Sequence, residues 1–459
     1  MNFKGVAMNR REFISRAAWM GAATVAASKL SGCATINGCT EGGTMMGFAA
    51  EPLPTIKVGI VGLGARGPGA VGRLSAIPNV EVVAVCDLIP ERAERQRDVL
   101  VKAGKKAPKV FSGSLDVWKK MVDLPEVNLV YITTPWLWHT PMAVYAMKAG
   151  KHAVSEIPAA VTVDQCWELV ETSEKTRRHY MMLENCCYGE NEMLALMLCR
   201  KGMLGELVHG EGAYIHDLRA AKFNPNGYQG MWRLNYSKAH TGCPYPMHGL
   251  GPIAQYMNIN RGDKFEYLTS ISSAQFGLSE YAVKTFGKES EQAKASYKLG
   301  DMSTTVIKTH KGRTIMVQHD TTSPRPYSRI NTASGTKSIL ADYPLRIAFE
   351  PKAHGWLSDA ELQKVREEYK HPLWKSSGEI AKKVGGHGGM DFLMDLRLCY
   401  CLQKGLPLDM DVYDAASWSC LVELTEKSTV RRGTPMDIPD FTRGGWKTAK
   451  PLDIVDVQI

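Results

Sequence analysis

Between residues 56 and 183 the chain alternates short apolar runs with amphipathic helical stretches. Ile56–Val61 is apolar and β-branched, closes on Gly62-Leu63-Gly64-Ala65-Arg66-Gly67, and is followed by a helical pattern to about Ile77. Val80–Cys86 is a second such run, ending at Asp87, and a charged helix follows from Pro90 to about Ala103. Leu129–Ile132 gives a third strand. Thr140 is expected to cap the next helix, with Pro141 in its first turn and Gly150 at its end. His152–Ser155 and Tyr180–Leu183 are further strands, with a helix near Val163–Lys175 between them. Strands alternating with helices predict a parallel sheet with right-handed crossovers, a Rossmann-type, doubly wound α/β domain over residues 54–184.

After Asn185 the texture shifts. A helix over Asn191–Lys201 leads through Gly202 and Gly205 into a strand, Leu207–Tyr214, and then a loop-rich stretch carrying aromatics and histidines. Strand-like runs recur at Tyr267–Gln275, Thr304–His310 and Thr314–His319. Asp391–Lys404 and Val412–Lys427 carry helical patterns, and the tail carries none. Residues 185–459 are therefore expected to form an α+β domain with an open, mainly antiparallel sheet.

Charge and the N-terminus place these domains in a cell. The net charge is +9. Residues 1–32 hold five basic residues against Glu12, so +4 of it sits there and +5 is spread over the rest without a basic block. Nucleic-acid binding is not expected. Arg10-Arg11 precedes an apolar run, Ala17–Ser28, that is too short to cross a bilayer. It resembles a twin-arginine export signal, and Leu30-Ser31-Gly32-Cys33 resembles a lipobox. Residues 1–33 read as an export signal and residues 34–53 as a tether. The expected location is periplasmic, with Cys33 as a lipid anchor and the only membrane contact. Cys186 and Cys187 are adjacent, Cys199 and Cys401 fall in helical patterns, and no CxxC occurs among the 11 cysteines. Neither a disulfide framework nor a metal site is expected.

The glycine motif has the context that a dinucleotide site requires. Gly62 permits the tight turn, Gly64 lets the backbone approach a pyrophosphate, and Gly67 lets the helix pack on the sheet. Asp87, at the end of the next strand, can accept hydrogen bonds from ribose hydroxyls and would repel a 2′-phosphate. NAD is the expected cofactor, although Arg92 and Arg95 on the following helix act against that preference.

Longer strings carry a family resemblance. Thr133-Thr134-Pro135, Trp138-His139, Ala149-Gly150-Lys151-His152 and Glu156-Ile157-Pro158 resemble the Gfo/Idh/MocA sugar oxidoreductases. Four longer strings begin at Trp136, Leu183, Tyr228 and Tyr245, and two more span Pro324–Arg329 and Gly385–Asp391. Together they resemble glycoside hydrolase family 109, the NAD-dependent α-N-acetylgalactosaminidases. The ordinary dehydrogenases of the wider group carry lysine where this chain has Ile157; the glycosidase branch also lacks it. Met247 stands where that branch usually has threonine.

The resemblance implies a redox route to hydrolysis: oxidation at C3 of the sugar, removal of the C2 proton, elimination at C1, addition of water, and reduction at C3. The cofactor is restored in each cycle. It assigns cofactor contacts to Gly62, Gly64, Ala65, Arg66, Gly67, Asp87, Trp136, Leu137, Trp138, His139, Glu156, Ile157 and Asn185. Substrate contacts fall on Tyr214, Arg233, Tyr245, Pro246, Met247, His248 and Tyr327. His248, at the start of a helix and of the residue type best suited to carry protons, is the candidate proton carrier, and Tyr245 its catalytic partner. His387 is a candidate to approach the site from its glycine-rich loop. The expected partner is a small glycan, and the chain is a candidate homo-oligomer. An exported NAD-dependent sugar or inositol dehydrogenase and a non-catalytic sugar-binding protein are the competing readings.

Overall fold

The computed structural model describes residues 43–352 and 354–457. The export signal, Cys33 and the start of the tether lie outside the described residues. Six parallel strands form the first sheet: β1 (Ile56–Val61), β2 (Val80–Asp87), β3 (Lys109–Ser112), β4 (Leu129–Ile132), β5 (His152–Ser155) and β6 (Tyr180–Met182). Their order is β3-β2-β1-β4-β5-β6, so the chain reverses direction across the sheet between β1 and β4. Dinucleotides bind at that switch point in open α/β sheets. Ile56, Val58 and Ile60 of β1 are fully buried, as are Leu129 to Ile132 of β4. This is the continuous apolar character of strands covered on both faces.

The second sheet is mixed and mostly antiparallel. It comprises β7 (Leu207–Ile215), β8 (Phe265–Ser272), β9 (Ser303–Thr309), β10 (Thr314–Asp320), β11 (Thr332–Gly335), β12 (Ser338–Ala341), β13 (Arg346–Phe349) and β14 (Met436–Asp437). Their order is β13-β12-β11-β7-β10-β9-β8-β14, and only β7–β10 is a parallel pair. The helix Met247–Tyr256 packs on β7, and Leu421–Val430 packs on β8.

Several expectations change. Thr140 does not cap its helix: the single turn Trp136–Trp138 runs straight into His139–Lys148, and the Thr140 hydroxyl donates to the Ala159 carbonyl at 2.9 Å. The helix expected over Val412–Lys427 is two, Val412–Ser419 and Leu421–Val430, separated at Cys420. Residues 43–52, read as tether, are tied down: Met45 is buried and its N–H donates to the Tyr413 hydroxyl at 3.0 Å. The nine cysteines among the described residues are unpaired thiols.

The helix Met390–Lys404 lies between β13 and β14 of the second sheet in sequence but packs on the first. Arg73, from the helix Gly67–Ser75, donates through Nε to Asp395 Oδ2 at 2.7 Å, and the Tyr131 hydroxyl donates to Asp395 Oδ1 at 2.9 Å. Both charges are buried, so each depends on the other to offset its lost hydration. Asp395→Ala leaves Arg73 buried beside the more distant Asp391 alone. Urea unfolding of this variant is expected to show a loss of about 3–5 kcal/mol; a loss under ~1 kcal/mol would show that the pair does not hold the helix in place.

Candidate functional site

The glycine loop is shaped by contact. Gly62 has φ +91°, and a Cβ there would lie 2.8 Å from the Thr133 carbonyl and the Thr134 nitrogen; one on Gly67 would lie 2.3 Å from the Gly62 oxygen. Gly64 faces outward, where a Cβ would meet nothing nearer than an Arg92 nitrogen at 3.5 Å. That open face, at the start of the helix Gly67–Ser75, is what a pyrophosphate needs. Asp87 braces the loop: its Oδ2 accepts from the Leu63 N–H at 2.6 Å and its Oδ1 from the Ile89 N–H at 2.9 Å. Each oxygen keeps a lone pair for a ribose hydroxyl. Arg92 is turned to Gln229 Oε1 at 2.8 Å. The residues present therefore fit a dinucleotide.

The remaining cofactor candidates divide. Ala65 and Leu137 are exposed, Trp138 is half-buried, and Trp136 and Ile157 are buried. The His139 ring is fully buried, with Nδ1 2.6 Å from the Pro158 carbonyl and Nε2 2.7 Å from the Thr134 carbonyl. Its ring is thus committed to the protein, and burial pushes its pKa down. Arg66, Glu156 and Asn185 meet in one network. Arg66 Nε donates to Glu156 Oε1 at 2.9 Å, Arg66 Nη1 donates to Asp391 Oδ2 at 3.1 Å, and Asn185 Nδ2 donates to Asp391 Oδ1. Burial opposes ionisation of Asp391, but the hydrogen bond from His387 and the charge of Arg66 outweigh it and hold the carboxyl well below its ordinary range.

The substrate candidates gather around His248. Gly212 of β7 and Gly249 of the helix Met247–Tyr256 touch so closely that a Cβ on either would lie 2.2 Å from the backbone of the facing element. This contact brings His248 against the end of β7, with ring centroids 5.2 Å from Tyr214 and 5.1 Å from Tyr245. Tyr245 stacks on Trp136 at 5.5 Å, and the Arg233 guanidinium lies over the Tyr245 ring at 4.8 Å. Burial raises the Tyr245 phenol well above its ordinary pKa despite Arg233, so it remains a hydrogen-bond donor. Arg233 donates to the Tyr228 hydroxyl at 2.9 Å. Tyr327 stands at the rim, 6.1 Å from Tyr214 between centroids and more than a third exposed. Pro246 is buried, and Met247 is fully buried in the hydrophobic core, where its side chain serves packing.

Two groups near this cluster escaped the sequence reading. The carboxylate of Glu184, fully buried just after β6, lies 2.8 Å from His248 Nδ1. A carboxylate only accepts, so Nδ1 carries the proton and Nε2 is left as the basic nitrogen. Cys186 Sγ is 3.1 Å from the same Nδ1, so three metal-donor types come together where none was expected. Burial holds the Cys186 thiol protonated, and the trio reads as a hydrogen-bonded chain. An acid at the carboxyl end of a strand was the available signal for Glu184. Lys222 carried no such signal. Its amine donates to Thr321 Oγ1 at 2.8 Å beside the Arg233–Tyr245 cluster, and burial lowers its pKa to about 7.

Comparisons with known proteins agree with this division. Residues 56–184 match the oxidoreductase family with an NAD-binding Rossmann fold, and residues 188–448 match the C-terminal domain of glycosyl hydrolase 109. An α-N-acetylgalactosaminidase of Bacteroides fragilis is 48% identical over 407 residues, covering 88% of this chain and 96% of that one. Another, from Shewanella oneidensis, is 45% identical over 421 residues, 91% of each chain. Among solved structures, a levoglucosan dehydrogenase in complex with NADH and levoglucosan shares the fold. Its TM-score is 0.65 at 19% identity, covering 84% of this chain and 100% of that one.

Two outcomes are expected from this geometry. Glu184→Gln removes the acceptor charge behind His248, and kcat should fall about 10²-fold with KM changed less than about threefold; equal effects on both would mean that Glu184 serves binding alone. Lys222 titrates near 7 when folded but near its ordinary, higher value when unfolded, so unfolding takes up a proton between those values. The contribution of Lys222 to stability should therefore rise with pH from about 7 to 10 and be constant below. In Lys222→Met, urea unfolding at a series of pH values should show that rise reduced.

Proposed function

The chain belongs to glycosyl hydrolase family 109, and from that premise we propose that it hydrolyses terminal α-linked N-acetylgalactosamine by a redox-neutral route with NAD as a resident cofactor. One observation carries the mechanism: His248 stands between the two tyrosines with its Nδ1 held by the buried Glu184. That is the arrangement of an oriented proton carrier, and a sugar-binding protein would have no need of it.

Gly62 to Gly67 and Asp87 would hold the dinucleotide, and Asp87 would favour NAD over NADP by repelling a 2′-phosphate. When bound, NAD supplies a reversible hydride acceptor for C3 of the sugar. Tyr245, kept protonated by burial and flanked by Arg233, hydrogen-bonds the sugar oxygen at C3 and stabilises charge as it develops there, while the C3 hydroxyl proton is released to solvent on oxidation and regained on reduction. The carbonyl so formed acidifies the C2 proton, which passes to His248 Nε2. Glu184 stabilises the resulting imidazolium. The C1–O bond then breaks, the imidazolium giving its proton to the oxygen of the departing aglycone. Water would then add at C1, C2 would take a solvent-derived proton by way of His248, and return of the hydride to C3 would leave no cofactor consumed. Arg233 and Tyr214 orient the sugar from the second sheet, and Tyr327 meets it at the rim.

Ile157 weighs against a net dehydrogenase, because this buried apolar side chain stands where the ordinary dehydrogenases carry lysine and the glycosidase branch does not. Recycling also suits export: an enzyme that carries its NAD and restores it each turn can work where free NAD is scarce. Arg10-Arg11, the apolar run after them and Cys33 support a periplasmic, lipid-anchored enzyme.

The test is release of nitrophenol from para-nitrophenyl α-N-acetylgalactosaminide by protein purified without added cofactor, with absorbance at 340 nm followed in parallel. Nitrophenol should appear without accumulating NADH. His248→Ala should lose at least ~10²-fold in rate and accumulate NADH on the enzyme, because oxidation at C3 precedes the step it blocks. Steady NADH production from free sugars with no nitrophenol would leave a dehydrogenase instead.

A further inference from the structure

The bonds around Arg66 run across the crevice in which a dinucleotide sits. In the strand order β1-β4-β5, β4 lies between the other two. Arg66 follows β1 and Glu156 follows β5, so the Arg66–Glu156 bond spans the carboxyl end of β4. That is the switch point between β1 and β4 where the dinucleotide must lie. Three other segments fix this bridge in place. Asp391, at the start of the helix Met390–Lys404, accepts from Arg66 and from Asn185, and lies 3.5 Å from Arg73. His387 Nδ1 donates to Asp391 Oδ2 at 2.9 Å.

The local sequence is built to allow it. Residues 385–389 form an unbroken run of positive φ: Gly385 +94°, Gly386 +89°, His387 +46°, Gly388 +73° and Gly389 +106°. Only glycine adopts such a run at low cost, and the one side chain in it is the histidine. A Cβ on Gly386 would lie 2.6 Å from the Asp391 Cβ. The glycines therefore let the loop fold back tightly enough for His387 to reach Asp391. His387 itself is more than half exposed, and core packing does not account for its position.

We infer that Arg66, Glu156, Asp391 and His387 form a clasp over the crevice that keeps NAD bound between turnovers. The inference rests on the NAD-dependent reading above and adds to it the residues that set cofactor residence time. Glu156 and Arg66 are the bar, Asp391 is the positioning residue that holds Arg66 across the opening, and His387 secures Asp391 from the solvent side. For NAD to leave, the Arg66 bonds must break together, with Glu156 left without its cation and Asp391 left to Arg73 and His387.

The experiment uses the holoenzyme as purified. It is diluted into a trap of alcohol dehydrogenase and ethanol, which turns released NAD into NADH, and the rate of NAD appearance is followed for the wild type, Asp391→Asn and His387→Ala. The clasp predicts release at least tenfold faster in both variants, with melting temperatures of the NAD-free proteins within a few degrees of wild type. His387→Ala, at an exposed position, keeps the test informative where Asp391→Asn fails to fold. Release within twofold of wild type in folded variants overturns the clasp while leaving the glycosidase reading intact. A wild-type protein that neither carries nor binds NAD overturns the reading on which the clasp rests.

Discussion

Two arginines of the first crossover, Arg66 and Arg73, face two aspartates one helical turn apart, Asp391 and Asp395, across the boundary between the sheets. Three of these four side chains are nearly inaccessible to water. Charges in such surroundings are tolerated only in pairs and with their remaining bonding capacity satisfied. Tyr131, Asn185, Glu156 and His387 complete the set. The loop that would hold a cofactor, the strand beneath it and the helix that returns from the second sheet are thereby fixed to one another. Moving any of them strands a charge.

The site depends on that alignment because its parts come from distant stretches of chain. Tyr214 lies on β7, His248 and Tyr245 at the entry of the helix that touches β7 through two glycines, Trp136 after β4, and Glu184 after β6. Burial raises the phenol of Tyr245 and lowers Lys222, so tyrosine stays a donor while the lysine is readily neutralised. The Glu184 carboxylate decides which nitrogen of His248 is basic. Each side chain has its chemistry assigned by a neighbour from another element.

Much of the first sheet was legible in the sequence because its strands are buried on both faces. Ile56–Val61, Leu129–Ile132 and His152–Ser155 coincide with their apolar runs. The edge strand β3, Lys-Val-Phe-Ser, is only partly buried and leaves no such run. The four-residue strands β11 to β13 are too short for a periodicity to emerge. The helix Asp359–Glu368 was missed although Ser358 and Glu361 form a capping box, because it buries no residue and so shows no apolar stripe. For the site, the glycine motif and the aromatic strings carried their own signal. Asp391 did not, and Glu184 only its place at the end of a strand, since their roles arise from partners 325 and 64 residues away.

The central claim is that glycosidic cleavage passes through loss of the C2 proton to His248. Hydrolysis in deuterated water, with mass and NMR analysis of the released N-acetylgalactosamine, addresses that step directly. The account predicts one solvent-derived deuterium at C2 of the product and none at C3. Product that keeps its original hydrogen at C2 would contradict it and point to direct displacement at C1.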